Sequence, residues 1–182
     1  MEFNQDILPC SVHTPFLCYY CAKIKHMKEL DSLNQVAEFH RTFKHPVVER
    51  PAIPSEGRCK LRVALIREEL NEFEDAIEKG DLVEIADALC DIQYVLSGAI
   101  LEFGLGEKFR DLFDEVQRSN MSKSCNSIEE AEATVKYYKE HRGQDCYFKE
   151  ADGHYLVYRL SDNKTLKSIN YSPADLKRII NS

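Results

Sequence analysis

Two stretches of this sequence concentrate carboxylates at helical spacing. The first reads Arg67-Glu68-Glu69-Leu70-Asn71-Glu72, the second Glu84-Ile85-Ala86-Asp87-Ala88-Leu89-Cys90-Asp91. At about 100° per residue, Glu69 and Glu72 share one helix face, and Glu84, Asp87 and Asp91 share another. Glu69 falls inside the apolar arc of its helix, near the directions of Leu65, Phe73 and Ala76. Glu72 lies near Leu61 and Leu65. A carboxylate aimed at a core costs several kcal/mol unless it is paired or metal-bound. Those faces carry too few Lys or Arg to neutralise the set. Two i,i+3 carboxylate pairs on facing helices offer a hard, oxygen-rich site suited to Mg²⁺, with Mn²⁺ as a substitute. A di-iron bundle is disfavoured, because neither helix holds the histidine of a Glu-x-x-His pair.

Each residue also has a plainer reading. Glu84 stands three residues after Asp81 and could simply complete a capping box. Glu74, Asp75 and Glu78 suit a solvated face. Glu68 lies at the edge of the stripe, and Cys90 suits a small core position. Tyr94 projects near the Asp87 and Asp91 side, where it could stack on a base or pack in the core.

The carboxylates need a scaffold, and the apolar periodicity provides one. Leu33, Val36, Ala37, Phe39, His40 and Phe43 predict a first helix over about residues 30–44, which His45-Pro46 stops. Leu61, Leu65, Ile66, Leu70, Phe73, Ala76 and Ile77 predict a second over 56–79. Gly80 suits its C-terminal cap, and Asp81 suits the next N-cap. The third helix, about 82–103, groups Leu82, Ile85, Ala86, Leu89, Leu96, Ile100 and Phe103 on one side. So short a connection makes the second and third helices antiparallel neighbours. A fourth helix is expected over 107–118, and Ser127-x-x-Glu130 opens another to about residue 141.

The period then changes. Cys146-Tyr147-Phe148, Tyr155-Leu156-Val157-Tyr158 and Thr165-Leu166 are short β-type runs, with Asp152-Gly153 and Asp162-Asn163 at the turns. Ser172-Pro173 starts a final short helix. The expected class is mainly α: an antiparallel helical bundle, residues 31–142, with a small α+β C-terminal appendage, 143–182, and an N-terminal extension, 1–30. In that extension Cys10, His13, Cys18 and Cys21 have partial zinc-ligand spacing, though a docked or flexible segment with reduced thiols fits better.

The net charge of −7 lacks the basic footprint of a general nucleic-acid binder. No apolar run is long enough to span a bilayer, and the acidic N-terminus is unlike a signal peptide, so no membrane association and a cytoplasmic location are expected. Seven cysteines, an odd number scattered through helices and loops, suggest reduced thiols.

Glu68-Glu69-x-x-Glu72 followed by Glu84-x-x-Asp87 resembles the EExxE…ExxD signature of the all-α nucleoside triphosphate pyrophosphohydrolases. That superfamily includes MazG-like enzymes, dimeric dUTPases and phosphoribosyl-ATP pyrophosphohydrolase. The resemblance covers roughly residues 33–125, and Glu84 to Gly98 with Val116 to Lys123 looks like the MazG-like and phosphoribosyl-ATP branch. It implies hydrolysis of a nucleoside triphosphate between its α- and β-phosphates, yielding monophosphate and pyrophosphate. Under it Glu69, Glu72, Glu84 and Asp87 would be metal ligands, and Glu68 a further ligand or the base for the attacking water. Asn120 and Lys123 would contact phosphate or sugar, with Asp91, Tyr94 and Arg62 as further substrate contacts and Arg67 and Arg118 as other cationic candidates. The family form implies a homodimer or a dimer of dimers. Phosphoribosyl-ATP is the alternative substrate, and a non-catalytic nucleotide-binding protein on the same scaffold is the alternative class. Lys164 and Lys167, in the β-type tail, could close over a triphosphate or simply belong to a solvated hairpin.

Overall fold

The computed structural model describes residues 28–182. Helix α1 spans Ser32–Thr42, α2 Glu56–Lys79, α3 Leu82–Glu102, α4 Phe109–Met121 and α5 Ile128–Arg142. A two-stranded sheet of β1 (Cys146–Ala151) and β2 (His154–Arg159) follows, then α6 (Leu176–Asn181). The mainly α class with a small β-hairpin is therefore observed. The Cys10, His13, Cys18 and Cys21 group lies outside the described residues.

Local chemistry sets most boundaries. Gly80 ends α2 in the left-handed conformation, φ 66°, and its N–H turns back to the carbonyls of Ala76 and Ile77. Asp81 then caps α3, its carboxylate accepting from the N–H groups of Val83 and Glu84. Two residues thus reverse the chain, and α2 packs antiparallel along α3. Ala76, Ala88 and Gly98 are all buried, and their small size lets the two backbones approach. Helix α1 lies against α3, where Val36, Ala37 and Leu101 form a small core with Val47.

A buried ion network ties these helices together. Glu102, 1% exposed, is bonded by Arg62 at 2.5 Å and by Arg58. Arg62 also reaches His40 Nε2 at 3.2 Å, while His40 Nδ1 donates to the Pro46 carbonyl at 2.7 Å. Burial first, and Arg62 among the nearby charges, lower the His40 pKa below its ordinary 6.5. A neutral ring with its proton on Nδ1 satisfies both contacts. Gly98 makes room for this arrangement, because a Cβ there would sit 2.6 Å from Arg62 Nη1 and 3.0 Å from His40 Nε2.

The second half has its own core. Cys125, Ala131, Val157 and Leu166 are buried together, with Val135, Tyr138, Cys146, Phe148 and Tyr155 packed around them. The sequence places α5 in the helical domain, with a boundary at 142/143. In the structure α5 packs on β1 and β2, and the boundary cuts through that core. Phe148 lies opposite Val157 across the hairpin, whose Asp152-Gly153 turn has both residues at positive φ. Thr165 extends the sheet by a bridge to Tyr158, and Cys125 bridges to Tyr155 on the same strand, β2. The last stretch straps back over α4: Tyr171 meets Ser119 at 2.9 Å, and the Asp175 N–H donates to Glu115 at 2.8 Å. Among the described residues no single helix is long and apolar enough to cross a membrane.

Candidate active site

The antiparallel pair α2 and α3 brings three of the signature carboxylates, Glu72, Glu84 and Asp87, to one groove. A cavity of about 200 Å³ is lined by Glu72, Asp75, Lys79, Glu84 and Asp87, floored by Ala76 and Ala88. Glu69 lies one turn further along α2. Its carboxyl is pushed above its ordinary value, first by burial, then by the charges of Asp91, Glu72, Glu68 and Asp87. Those four neighbouring carboxylates thus act on Glu69 across the two helices. Among the described residues no three acidic, histidine or cysteine side chains are grouped closely enough to hold one ion. The donor set is nevertheless all oxygen, strongly anionic and served by one lining cation, Lys79. Its chemistry fits a divalent cation of the Mg²⁺ type.

Several expectations need adjustment. The helical arc puts Glu69 in the core, whereas the structure leaves it half-buried and Glu68, Glu72, Glu84 and Asp87 exposed in the single chain. Glu84 does not complete a capping box, because the Asp81 N–H goes to the Ala76 carbonyl. Asp75 is exposed, as its solvated face predicts, and it also lines the cavity together with Lys79. Both sit within one turn of the Gly80-Asp81 reversal, so α3 faces them directly. That reversal was the signal which could have found them.

Arg62 is the clearest departure. It is 7% exposed and committed to Glu102 and His40, so it is a structural cation rather than a substrate contact. Arg118 is likewise engaged, bidentate to Glu115 at 2.8 Å and bonded to the Pro173 carbonyl at 3.0 Å. Arg67 is exposed on α2. Tyr94 meets Phe39 of α1 edge-on, ring centroids 5.5 Å apart, and keeps 39% of its surface open. Asp91 is half-buried and acts on Glu69.

Asn120 and Lys123 stand elsewhere in the chain. Helix α4 continues to Met121, so Asn120 lies in its last turn rather than beyond its end. Lys123 donates to Asn120 Oδ1 at 2.8 Å, and its carbonyl accepts from the Ser168 N–H at 3.1 Å. The two residues are thus brought to each other and to the C-terminal strap.

Much apolar surface flanks the groove. Val63, Leu70 and Ile77 recur every seven residues on α2, exposed by 53%, 47% and 52%. Leu82, Leu89 and Leu96 do the same on α3, exposed by 76%, 49% and 40%. The sequence reading put Leu70, Ile77, Leu82, Leu89 and Leu96 on core-facing stripes. The stripes exist, but nothing among the described residues covers them.

Known proteins match this same segment. The phosphoribosyl-ATP pyrophosphohydrolase family matches residues 36–120, which contain α2, α3 and nearly all of α4. An uncharacterized protein of Acanthamoeba polyphaga mimivirus is 37% identical over 92 residues, 48% of this chain. The match spans 37% of that relative's length, so the chain covers little more than a third of it. Residues 36–120, with the paired carboxylate signature on α2 and α3, are thus similar to a family of the all-α nucleoside triphosphate pyrophosphohydrolase superfamily.

Proposed function

We propose that this protein is a Mg²⁺-dependent nucleotide pyrophosphohydrolase that cuts a nucleoside triphosphate between its α- and β-phosphates. The observation that carries the reading is the facing of Glu69 and Glu72 on α2 with Glu84, Asp87 and Asp91 on α3, where burial first and then the neighbouring carboxylates push the Glu69 carboxyl upward. Such a groove repels a triphosphate unless cations intervene. Glu69, Glu72, Glu84 and Asp87 would hold Mg²⁺, with Mn²⁺ able to substitute. When bound, the ion supplies positive charge for phosphate oxygens and acidifies water.

The remaining steps fall to this chain's residues. Glu68, exposed beside Glu69, takes the proton of the attacking water. Attack at the α-phosphorus breaks the α–β bridge and releases monophosphate and pyrophosphate. Lys79, at the end of the groove, offsets charge on the departing pyrophosphate. Asn120 and Lys123 contact phosphate or sugar. Tyr94, open on one side, stacks against the base. The exposed seams on α2 and α3 support a homodimer or dimer of dimers, in which α4 of one copy approaches the groove of another.

The family match favours phosphoribosyl-ATP as a second candidate substrate. Pyrophosphate release is therefore measured on a panel of nucleoside triphosphates plus phosphoribosyl-ATP, with Mg²⁺, with Mn²⁺ and with chelator. Chelator-sensitive release of pyrophosphate is expected. Glu69→Gln and Asp87→Asn should each lower turnover by more than about a hundredfold, beyond what loss of an outer partner of a metal site costs. Full turnover in both variants would sink the assignment.

A further inference from the structure

The C-terminal half holds a second cavity, of about 580 Å³, with chemistry opposite to the acidic groove. It lies between the end of α5 and the segment 167–171. Its lining includes Tyr137, Tyr138 and Tyr171, the cations Arg142 and Lys167, and the carboxamide of Gln144, with no acidic residue. In a chain of net charge −7 such a concentration of positive charge is unexpected. Neither cation is ion-paired to a carboxylate among the described residues.

The aromatic groups are held in place. Tyr137 is backed by His141, whose ring stacks on it at 4.8 Å, and by Tyr138 edge-on at 5.6 Å. It still leaves 38% of its surface open. Tyr138 accepts the Lys167 N–H at 3.2 Å. The Lys167 ammonium sits 4.1 Å from the centre of the Tyr171 ring, and Tyr171 is fixed by its hydrogen bond to Ser119. A ligand able to use all of this has a planar ring for Tyr137, an anionic group for Arg142 and Lys167, and an edge that hydrogen-bonds Gln144. The volume lies in the range of small-molecule sites.

We propose that this cavity is a second nucleotide site, binding a nucleoside monophosphate without a metal ion. The base lies on Tyr137, and the phosphate sits between Arg142 and Lys167. The site borders the segment that carries Asn120 and Lys123, because Tyr171 bonds Ser119 and the Ser168 N–H bonds the Lys123 carbonyl. Occupancy is thereby placed to influence the Ser119–Lys123 segment. The inference stands apart from the proposed reaction, since it uses none of the groove's residues.

The test is calorimetric titration of the full chain with AMP in the presence of chelator, where the acidic groove only repels phosphate. AMP is expected to bind, with adenosine and inorganic phosphate each at least about tenfold weaker, as expected when a charge-assisted contact or the stacked base is missing. Arg142→Gln and Lys167→Gln, both at surface positions, should each weaken AMP by about tenfold, and Tyr137→Ala should do likewise. Asp87→Asn should leave this affinity unchanged. The proposal is overturned if AMP does not bind in chelator, if its affinity survives both cation substitutions, or if inorganic phosphate binds as tightly as AMP.

Discussion

The two halves of this molecule are finished to different degrees. The hairpin half closes a core on itself: Cys125, Ala131 and Val157 are fully buried, and α5, both strands and the 165–166 segment all contribute. The helical half does not. Its buried residues include the Arg62–Glu102 ion pair, burial and neighbouring carboxylates push the Glu69 carboxyl upward, and two heptad-spaced seams of Val, Leu and Ile face outward. The difference teaches what each half is for. A half that encloses its apolar surface can serve as a rigid platform. In a half that leaves both charge and apolar surface unsatisfied, the proposed cation would complete the first and the proposed second copy the second.

The largest effect expected outside catalysis comes from the network that holds the unfinished half in register. Glu102→Ala leaves Arg58 and Arg62 without their shared counter-charge. Removing one partner of a buried ion pair costs about 3–5 kcal/mol. Urea unfolding of the variant should show that loss, and a loss below about 1 kcal/mol, the level of an exposed ion pair, would break the comparison. The pH dependence follows the same residue. Burial alone would raise the Glu102 carboxyl, but hydrogen bonds from Arg58 and Arg62 outweigh it and hold it below its ordinary 4.5. A depressed carboxyl contributes stability that is fully present above about 4.5 and fades as pH falls below it. Glu102→Gln should lack that acid-dependent part.

The seams come next. Burying one leucine side chain is worth about 1.5–3 kcal/mol, and each 1.4 kcal/mol is tenfold in affinity. Leu70→Glu or Leu89→Glu should therefore weaken self-association by at least about tenfold in sedimentation, while the circular dichroism of the helices persists. A wild-type chain that sediments as a monomer at high concentration would remove the argument that the helical half is completed by a second copy.

How much of this was legible depends on the range of the physics involved. Gly80-Asp81, Ser127 and Asp152-Gly153 act on their own neighbours, so α2, α3, α5 and the hairpin are predicted within a few residues. The carboxylates were legible because i,i+3 spacing is local and the Gly80-Asp81 reversal makes their helices antiparallel. Arg62 was not, because its place depends on Glu102 forty residues on and on a gap left by Gly98. Leu70 and Leu89 were half legible: periodicity reveals an apolar stripe but not what covers it. The same limit holds for α5, whose face suits either half and whose packing on the hairpin is fixed only by the tertiary fold. Lys167 was noticed as a possible phosphate cation, but its proximity to Arg142 and Tyr137 is a long-range fact.

The smallest effect should fall on the surface of the finished half. Asp162 is lowered to about 2, first by its hydrogen bond from Arg159 and then by the Lys164 N–H. Both partners are solvent-accessible, so the pair adds little to stability. The sign is that of a depressed carboxyl: its contribution is complete above 3.8 and disappears as pH falls through about 2. Asp162→Asn should leave the thermal midpoint near neutral pH almost unchanged and flatten the acid titration of the Lys164 amide between those values. A large loss at neutral pH would mean that the hairpin half leans on its surface charges. In that case its buried core is not what closes it, and the contrast with the helical half is one of degree.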